Sequence, residues 1–328
     1  MTKSIGVIGG GAWGTALAQI LSAGGRDVII QAREAEVVES INAKHENTVF
    51  LPGIPLEKSL TATESLDDIL QRDIILLVTP AQFVRSTLES IKDKLPAGKP
   101  VVICSKGIEL KSGLLLSQIA EEIVPEATIA ILTGPTFASE VARCLPTAVT
   151  IATKKKAAAK ELQEALGVKN FRPYVTTDII GAQLGGAIKN VIAIACGIVY
   201  GKKMGDSARA ALLTRGVAEI ARLGVSMGTQ KETLLGMCGI GDLMLTCSSM
   251  QSRNFSLGSA LGEGKTMEEV LGNRNAVTEG VFTAASTLAL AKQYAVDMPI
   301  TEAVNKCLNE GVSIDDAIED MLNRPFKY

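Results

Sequence analysis

The feature that most constrains this chain is a glycine-rich turn set directly between an apolar strand and a helix-forming run. Residues 5–18 are IGVIGGGAWGTALA, with the pattern G-x-G-x-x-G at Gly9, Gly11 and Gly14. The first glycine permits a tight turn, the second lets the backbone approach a pyrophosphate, and the third lets helix and strand pack closely. Because the N–H groups at the start of a helix attract phosphates, the segment predicts a dinucleotide-binding site. The alternative interpretation is a glycine-rich turn that binds nothing.

Length and composition favour a globular protein with two domains. The chain has 328 residues, more than one core of typical size contains. Its net charge of -2 leaves no basic surface for nucleic acid, so any anion has to be bound by a local cluster of Lys and Arg. Six cysteines without a C-x-x-C pair indicate reduced thiols in a cytoplasmic protein and predict no metal site. We expect no signal peptide, and the longest predicted apolar helix, residues 191–200, is too short to span a bilayer.

The order of apolar runs along the chain predicts two different kinds of domain. In the first half, short apolar runs alternate with helix-forming runs, which indicates a parallel, doubly wound sheet. After about Thr177 the strand-like runs disappear. We therefore predict an α/β protein with an N-terminal Rossmann-type doubly wound sheet followed by an all-helical C-terminal domain. The predicted division is a dinucleotide-binding domain over residues 1–178 and a helical substrate-binding domain over residues 179–328, with the ligand cleft at the carboxyl ends of the strands. The predicted strands are residues 5–8, 28–31, 59–61, 74–78, 101–104, 128–132, 148–152 and 171–175.

The end of the second predicted strand bears on the choice of cofactor. An acidic residue at this place binds the ribose 2′-hydroxyl of NAD, whereas a nearby arginine accommodates the 2′-phosphate of NADP. The strand ends at Gln31 without an acid, and Ala32 and Arg33 follow it. Arg33 is therefore a candidate ligand for a 2′-phosphate and favours NADP. Two alternatives stay open: Glu34 binds the ribose diol, or Arg33 is a solvated residue at a helix start.

Two polar segments follow predicted strands in the first half. Lys106 lies in CSKGIE, residues 104–109, where its side chain is expected to point into the predicted cleft. Residues 133–140 are TGPTFASE, in which Gly134 makes a turn and Thr136 is expected to cap the next helix. Backbone N–H groups at such a cap suit an anion or a nicotinamide amide. The alternatives are a lysine on a surface loop and an ordinary capped helix, and the pattern alone favours the ordinary helix.

A lysine inside an apolar helix is the best candidate for an acid or base. Lys189 and Asn190 lie in GGAIKNVIAIA, residues 185–195. A lysine there costs desolvation unless it is paired or faces a cleft. Burial near other cations lowers the pKa of a lysine and makes it usable near neutrality. Because His45, the chain's only histidine, lies in a polar stretch, we expect a residue other than histidine to move a proton. The alternative is a lysine whose stem covers the helix edge while its ammonium reaches water.

The segment of residues 239–254, GIGDLMLTCSSMQSRN, combines one carboxylate, one guanidinium and several hydroxyls. Arg253, between Ser252 and Asn254, has the donors to bind a phosphate. Asp242 is a candidate either to orient a substrate hydroxyl or to hold Lys189 in its cationic form. The alternative is a polar loop of turn residues.

Taken together, these segments resemble the bacterial NAD(P)-dependent glycerol-3-phosphate dehydrogenase family. The matching stretches are residues 9–18, 105–107, 134–138, 189–190, 239–254 and 278–280, in the family's order and over essentially the whole chain. The resemblance implies an oxidoreductase that transfers a hydride between NADP or NAD and C2 of dihydroxyacetone phosphate. The product, sn-glycerol 3-phosphate, supplies glycerophospholipid synthesis. We further expect a cytoplasmic homodimer that acts on this small-molecule substrate and has no transmembrane segment.

The resemblance also implies roles for residues by position. Lys189 corresponds to the family's catalytic lysine. The implied substrate contacts are Lys106, Gly134, Thr136, Lys189, Asn190, Asp242, Ser252, Arg253 and Asn254. The implied cofactor contacts are Gly9, Gly11, Ala12, Trp13, Gly14, Arg33, Lys106, Ala138, Arg253, Val277 and Glu279. The resemblance implies no metal.

The chain departs from the family's pattern at a few positions. Thr136 stands where serine is common and keeps the hydroxyl, whereas Ala12 replaces a frequent serine, so a contact there has to be through the backbone. Ala187 replaces a usual leucine, and residues 31–33 are Gln-Ala-Arg in place of Trp-Gly-Arg. This last departure leaves the packing of the adenosine and the cofactor preference open.

Two rival functions remain from the sequence. One is a related dehydrogenase that acts on a β-hydroxyacid or on ketopantoate and needs no phosphate group on its substrate. The other is a nucleotide sensor that binds the cofactor without catalysis.

Overall fold

The N-terminal part of the chain folds around one sheet, which has eight strands within residues 3–272 and 279–325, the ranges that this computed structural model describes. The strands are β1 (Ile5–Ile8), β2 (Val28–Gln31), β3 (Thr61–Thr63), β4 (Ile74–Leu77), β5 (Pro100–Ile103), β6 (Thr128–Thr133), β7 (Thr147–Ala152) and β8 (Phe171–Thr176). Their order across the sheet is β3-β2-β1-β4-β5-β6-β7-β8. The chain starts in the middle of the sheet and winds outward in both directions, so the predicted doubly wound architecture is confirmed.

The expectation of a fully parallel sheet is wrong at one pair. All neighbouring strands are parallel except β6 and β7, which pair antiparallel with Leu132 opposite Ile151. The connection between them contains only the five-residue helix Ala138–Ala142. Such a helix is about 7.5 Å long, whereas β6 extends over about 20 Å. Because the helix is too short to carry the chain back along the strand, β7 returns in the opposite direction.

Helices cover the sheet and place the glycine-rich turn at one edge of it. Helix α1 follows β1 directly, and its residues from Gly14 to Ser22 are buried. The edge strand β3 lies two residues later than predicted, because the side chain of Asn42 pairs with both backbone groups of Ala62. The helices of this part are α1 (Ala12–Ala23), α2 (Ala35–Glu39), α3 (Leu66–Leu70), α4 (Val84–Ile91), α5 (Leu116–Ile123), α6 (Ala138–Ala142) and α7 (Lys156–Leu166).

After β8 the described residues form helices and no strand, which confirms the predicted all-helical C-terminal domain. The longest helix, α8, is apolar over almost its whole length and is packed on all sides. The helices are α8 (Ile179–Gly201), α9 (Asp206–Ser226), α10 (Lys231–Leu235), α11 (Asp242–Thr246), α12 (Arg253–Gly262), α13 (Met267–Leu271), α14 (Glu279–Gln293), α15 (Pro299–Asn309) and α16 (Ile314–Leu322).

The length of α8 corrects one expectation. The predicted apolar helix of residues 191–200 is part of a 23-residue helix, and by length and composition this helix is able to cross a membrane. However, 94% of its most apolar window is buried inside the protein. Burial on this scale is typical of a core helix, so the packing of α8, not its length, is what argues against a membrane span.

The chain forms two compact units. The first, here called the sheet unit, comprises Met1–Lys106 and Leu115–Ile179. The second, the helical unit, comprises Gly107–Leu114 and Ile180–Tyr328. The eight residues Gly107–Leu114, which leave β5, therefore pack with the helices that come much later in the sequence. The division at residues 178 and 179 and the role of each domain stay predictions.

Candidate functional site

The glycine-rich turn in the sheet unit is packed at its ends and open in the middle. Gly9 has a positive φ of 120°, and a Cβ on Gly14 would lie 1.9 Å from the carbonyl oxygen of Gly9. Any side chain at Gly14 would therefore push the helix off the strand. By contrast, a Cβ on Gly11 would meet nothing within 4 Å. Gly11 precedes α1 directly, so the open space lies at the start of a helix, where N–H groups attract anions.

Buried polar atoms near this turn lack partners. The side-chain atoms Trp13 Nε1, Thr79 Oγ1 and Thr133 Oγ1 are buried and have no hydrogen-bond partner within the described part of the chain. Trp13 lies in the first turn after β1, Thr79 follows β4, and Thr133 ends β6. All three therefore lie at the carboxyl-end edge of the parallel strands β1, β4 and β6. Because buried polar groups are normally satisfied, this edge has the character of a ligand site, and it fits a dinucleotide lying across the strand ends.

Arg33 lies beyond the end of β2 and has an exposed side chain. Its guanidinium carbon is 5.9 Å from the centre of the Phe83 ring. Arginine over an aromatic face is attracted by the ring quadrupole. The contact holds a planar cation at the same edge of the sheet, and Glu34 stands at the N-cap of α2.

Lys106 and the segment after β6 meet at this edge. Nζ of Lys106 donates to the carbonyl oxygen of Gly134 at 3.2 Å. The expectation that Thr136 caps the next helix is wrong: α6 begins at Ala138 with Phe137 at the N-cap, and no side chain caps it. The hydroxyl of Thr136 lies 3.4 Å from the Gly134 carbonyl oxygen instead. The helix starts one residue too late for Thr136 to be its N-cap.

In the helical unit, Lys189 is buried and paired. The residue is 6% exposed on α8, and its Nζ donates to Asp242 Oδ1 at 2.6 Å and to Thr246 Oγ1 at 2.8 Å. Asp242 is 0% exposed. Of the two roles left open for Asp242, the structure shows the contact with Lys189. The alternative interpretation, in which the ammonium of Lys189 reaches water, is wrong. The ammonium is held inside the protein.

Thr246 is a member of this group that the sequence analysis missed. Its hydroxyl accepts from Lys189 and donates to the backbone oxygen of Asp242 at 2.6 Å, so it links both charged residues. Asp242 and Thr246 are four residues apart on α11, and residues at this spacing lie on one face of a helix. That spacing was available in the sequence, but nothing local indicates which partner the face meets.

Two thiols lie beside the lysine. Cys247 follows Thr246 and forms a hydrogen bond with Cys196, and this bond together with burial raises the pKa of the Cys247 thiol well above its usual range. A thiol with a raised pKa stays protonated at neutral pH and is a poor nucleophile. The Cys247 thiol is therefore a poor candidate for nucleophilic chemistry at this group.

The start of α12 has the features of an anion site. The Ser252 hydroxyl caps the helix by accepting from Phe255 N at 3.2 Å. Arg253 is the first helical residue and is exposed, whereas Asn254 is buried and accepts from Gly280 N at 3.2 Å. A helix N-terminus and a guanidinium together favour a phosphate.

The structure describes most of the remaining predicted site residues, but not all of them. Asn190 is buried next to Lys189 on α8, and Ala138 begins α6. Val277 lies outside the described residues, and Glu279 begins α14. Within the described ranges, no three His, Cys, Asp or Glu side chains come together as a metal site.

Comparisons with known proteins agree over both units. The family model described as NAD-dependent glycerol-3-phosphate dehydrogenase N-terminus matches residues 4–159, and the corresponding C-terminus model matches residues 178–319. A protein of Parvibaculum lavamentivorans named glycerol-3-phosphate dehydrogenase (NAD(P)+) is 54% identical, with 99% of this chain and 98% of that protein covered. A protein of the same name from Rhodospirillum rubrum is 53% identical, with 98% and 93% covered.

Solved structures give the same result. A crystal structure of glycerol-3-phosphate dehydrogenase from Coxiella burnetii is 36% identical with a TM-score of 0.94, and covers 98% of this chain and 99% of that one. A ketopantoate reductase from Ralstonia eutropha covers 96% and 99% with a TM-score of 0.59, but is only 12% identical. This second likeness extends to the fold alone.

The buried ion pair leads to a prediction about stability. We expect Asp242→Ala to lower the free energy of unfolding by about 3–5 kcal/mol, because it removes the buried carboxylate that pairs with the Lys189 ammonium. The double variant Lys189→Met, Asp242→Leu should recover most of this loss, since it removes both charges. Urea unfolding followed by circular dichroism measures the free energy of unfolding of the unchanged protein and of both variants.

A matched control is available for that experiment. Lys94 and Asp67 also form an ion pair at 2.6 Å, but both side chains are exposed. Asp67→Ala should therefore cost less than about 1 kcal/mol. Equal losses for the two single variants would contradict the role given to burial.

Proposed function

This chain belongs to the NAD-dependent glycerol-3-phosphate dehydrogenase family, and from that premise we propose that it interconverts dihydroxyacetone phosphate and sn-glycerol 3-phosphate with NADP or NAD. The observation that carries the proposal is the buried ammonium of Lys189, held by Asp242 and Thr246. Reduction of a ketone needs a proton at the carbonyl oxygen, and a positioned lysine supplies it.

The sheet unit is the proposed cofactor domain. The pyrophosphate binds at Gly11, where the backbone is open, while Gly9 and Gly14 shape the turn. Ala12 contributes through its backbone, and Trp13 carries a buried Nε1 that has no partner within the described residues. When bound, the reduced nicotinamide supplies the hydride that forms the new C–H bond at C2 of the substrate. The other proposed cofactor contacts are Arg33, Lys106, Ala138, Arg253, Val277 and Glu279.

Lys189 is the proposed catalytic residue. Its Nζ donates a proton to the carbonyl oxygen at C2 during reduction and accepts the proton of the hydroxyl in the reverse direction. The positive charge also stabilises the alkoxide that develops on that oxygen. Asp242 stabilises the ammonium form, and Thr246 fixes the direction of Nζ. Both are positioning residues in this scheme.

The start of α12 is the proposed phosphate site. Arg253 supplies a planar charged donor, and its neighbours in sequence, Ser252 and Asn254, carry a hydroxyl and an amide. The arrangement is supported by the preference of phosphate for helix N-termini and for arginine. The other proposed substrate contacts are Lys106, Gly134, Thr136 and Asn190.

Two rival functions make different predictions. A β-hydroxyacid or ketopantoate dehydrogenase shares the architecture, but its substrate carries no phosphate for Arg253 to bind. A nucleotide sensor would bind the cofactor and leave Lys189 without a reaction to catalyse. The buried, paired lysine supports catalysis, and the arginine at a helix start supports a phosphorylated substrate.

The wider setting is also a proposal. All six cysteines lie within the described ranges and none forms a disulfide, which is typical of a reducing compartment and supports a cytoplasmic location. The helical unit exposes the large apolar side chains of Tyr200, Met204 and Leu235. Side chains of this size are available to a subunit interface, and a homodimer stays part of the proposal. The product, sn-glycerol 3-phosphate, would supply glycerophospholipid synthesis.

We expect Lys189→Ala to lower kcat at least about 10²- to 10⁴-fold, the usual contribution of a general acid or base. Cofactor affinity should stay near that of the unchanged protein, because Lys189 is a proposed substrate contact and not one of the proposed cofactor contacts. Stopped-flow oxidation of NADPH gives the first quantity, and a binding titration gives the second. Lys202→Ala, directly after the same helix and half-buried in an ion pair with the exposed Asp315, is the control. Turnover close to normal in Lys189→Ala would rule out the assigned role.

The phosphate assignment is tested by comparing dihydroxyacetone phosphate with dihydroxyacetone. The unchanged protein should oxidise NADPH only with the phosphorylated ketone. Arg253→Ala should lower kcat/KM for that substrate about 10- to 200-fold, as expected for the loss of a hydrogen bond to a charged group. KM for the cofactor is measured in parallel, since Arg253 is also a proposed cofactor contact. Unchanged kcat/KM would place the phosphate elsewhere.

Arg33 should set the preference for NADPH over NADH. No carboxylate ends β2 to repel a 2′-phosphate, and Arg33 offers it a charged, planar donor. Arg33→Ala is expected to raise KM for NADPH about 5- to 30-fold, a modest loss because the side chain is exposed and screened by salt. KM for NADH should hardly change. Equal losses for both cofactors would mean that Arg33 holds the adenine or the fold.

A further inference from the structure

Asn47 is distant from the glycine-rich turn in sequence but contacts it directly. The residue is 0% exposed. Its Nδ2 donates to the carbonyl oxygen of Gly10 at 2.8 Å and to Thr15 Oγ1 at 2.8 Å, while its Oδ1 accepts from Phe50 N at 3.0 Å. Both amide donors and the amide oxygen are therefore used inside the protein. A buried amide with this many bonds has one orientation.

The segment that carries Asn47 is fixed by its own hydrogen bonds. The Ser40 hydroxyl donates to the backbone oxygen of Glu46 at 2.6 Å, and Gly53 N donates to the Glu46 carboxylate at 2.8 Å. Leu56 N donates to the backbone oxygen of His45 at 2.7 Å. These bonds close a loop on either side of Asn47. The loop presents the amide as a rigid element and not as a mobile surface group.

The Gly10 carbonyl matters because it shares a rigid plane with the next N–H. A trans peptide unit is planar, and its C=O and N–H point in opposite directions. The Gly10 oxygen accepts from Asn47, and the Thr15 hydroxyl also donates to it at 3.3 Å. With this carbonyl drawn into the protein, the N–H of Gly11 is directed away from it. Gly11 is the glycine of the turn with open space beside it.

We propose that Asn47 is a positioning residue for cofactor binding: by holding the Gly10 carbonyl, it aims the Gly11 N–H at the cofactor pyrophosphate. The inference rests on the proposed location of the pyrophosphate at Gly11. Packing supports it, since a Cβ on Gly10 would lie 2.4 Å from Ala32 Cβ, so the peptide is held from a second side. Asn47 itself touches no ligand in this arrangement.

The test compares Asn47→Ala with Asn42→Ala. Asn42 is the matched control because it also uses its amide to hold backbone, accepting from Ala62 N and donating to Ala62 O, but it does not touch the turn. Trp13, the chain's only tryptophan, lies in the first turn of α1. Quenching of its fluorescence by NADH therefore measures cofactor binding without turnover. Thermal unfolding of both variants measures their stability.

We expect Asn47→Ala to raise Kd for NADH about 5- to 30-fold, the effect of weakening one hydrogen bond to a charged group. Asn42→Ala should leave Kd within about twofold, because it removes only neutral hydrogen bonds, and these do not involve the glycine-rich turn. The Kd of ADP-ribose, measured by displacement of NADH, should rise by the same factor as that of NADH, because both carry the pyrophosphate. At saturating cofactor, kcat should stay near normal. Equal Kd values for the two variants, or a fall in kcat with Kd unchanged, would overturn the inference.

The two proposals fail in distinguishable ways. If the unchanged protein does not bind NADH, the proposed cofactor site is wrong. If it binds and Asn47→Ala binds equally well, only the role of Asn47 is wrong. Should Asn47→Ala not fold, Thr15→Val replaces it, because it removes the hydroxyl that donates to the Gly10 carbonyl and accepts from Asn47 Nδ2, and so weakens the hold of this group on the carbonyl. A raised Kd in that variant supports the inference, and an unchanged one overturns it.

Discussion

The arrangement of the helical unit depends on one requirement: a buried ammonium needs a counter-charge. Lys189 is 6% exposed in the middle of the apolar helix α8, and Asp242 is 0% exposed. Taking a single charge out of water costs several kcal/mol, and the ion pair with the other residue offsets part of that cost for each of them. The pair therefore fixes α11 against α8, and Thr246 fixes the rotation of the pair by bonding to both. A cation held this firmly suits the proton transfer proposed for Lys189.

The sheet unit meets a different constraint: a ligand has to reach the backbone N–H groups of the glycine-rich turn. A phosphate is recognised by N–H groups only where no side chain intervenes and where those groups already point outward. Gly11 provides the opening, while close packing at Gly14 and a positive φ at Gly9 bring helix and strand together. Glycine alone would leave the turn flexible, because its backbone has the largest conformational entropy to lose on folding. Contacts from Ala32, Thr15 and Asn47 remove that freedom without closing the opening.

Much of this could be predicted from the sequence, because the signals were local. The glycine pattern, the alternation of strands and helices, and the lysine inside an apolar helix are each confined to short segments. The misses depend on contacts between distant segments. The antiparallel β7 follows from the shortness of α6 beside a six-residue strand, and α6 starts at Ala138 with Phe137, not Thr136, at its N-cap. Thr246 and Asn47 gave no signal of their own, since a threonine or an asparagine in a polar run is most often a surface residue.

The same division separates two kinds of functional residue. Groups proposed to touch ligand, such as Gly11, Lys189 and Arg253, are recognisable by their chemistry, because few residue types do what they do. Groups that hold those residues, such as Asp242, Thr246 and Asn47, are defined only by where their partners lie. Two of the holding groups, Asp242 and Asn47, are 0% exposed, whereas Arg253 is exposed; Lys189, at 6%, is itself buried. Burial is what makes an orientation unique, since a solvated amide or carboxylate exchanges its partners for water. The orientation of the groups proposed to touch ligand is therefore fixed by the buried residues that contact them.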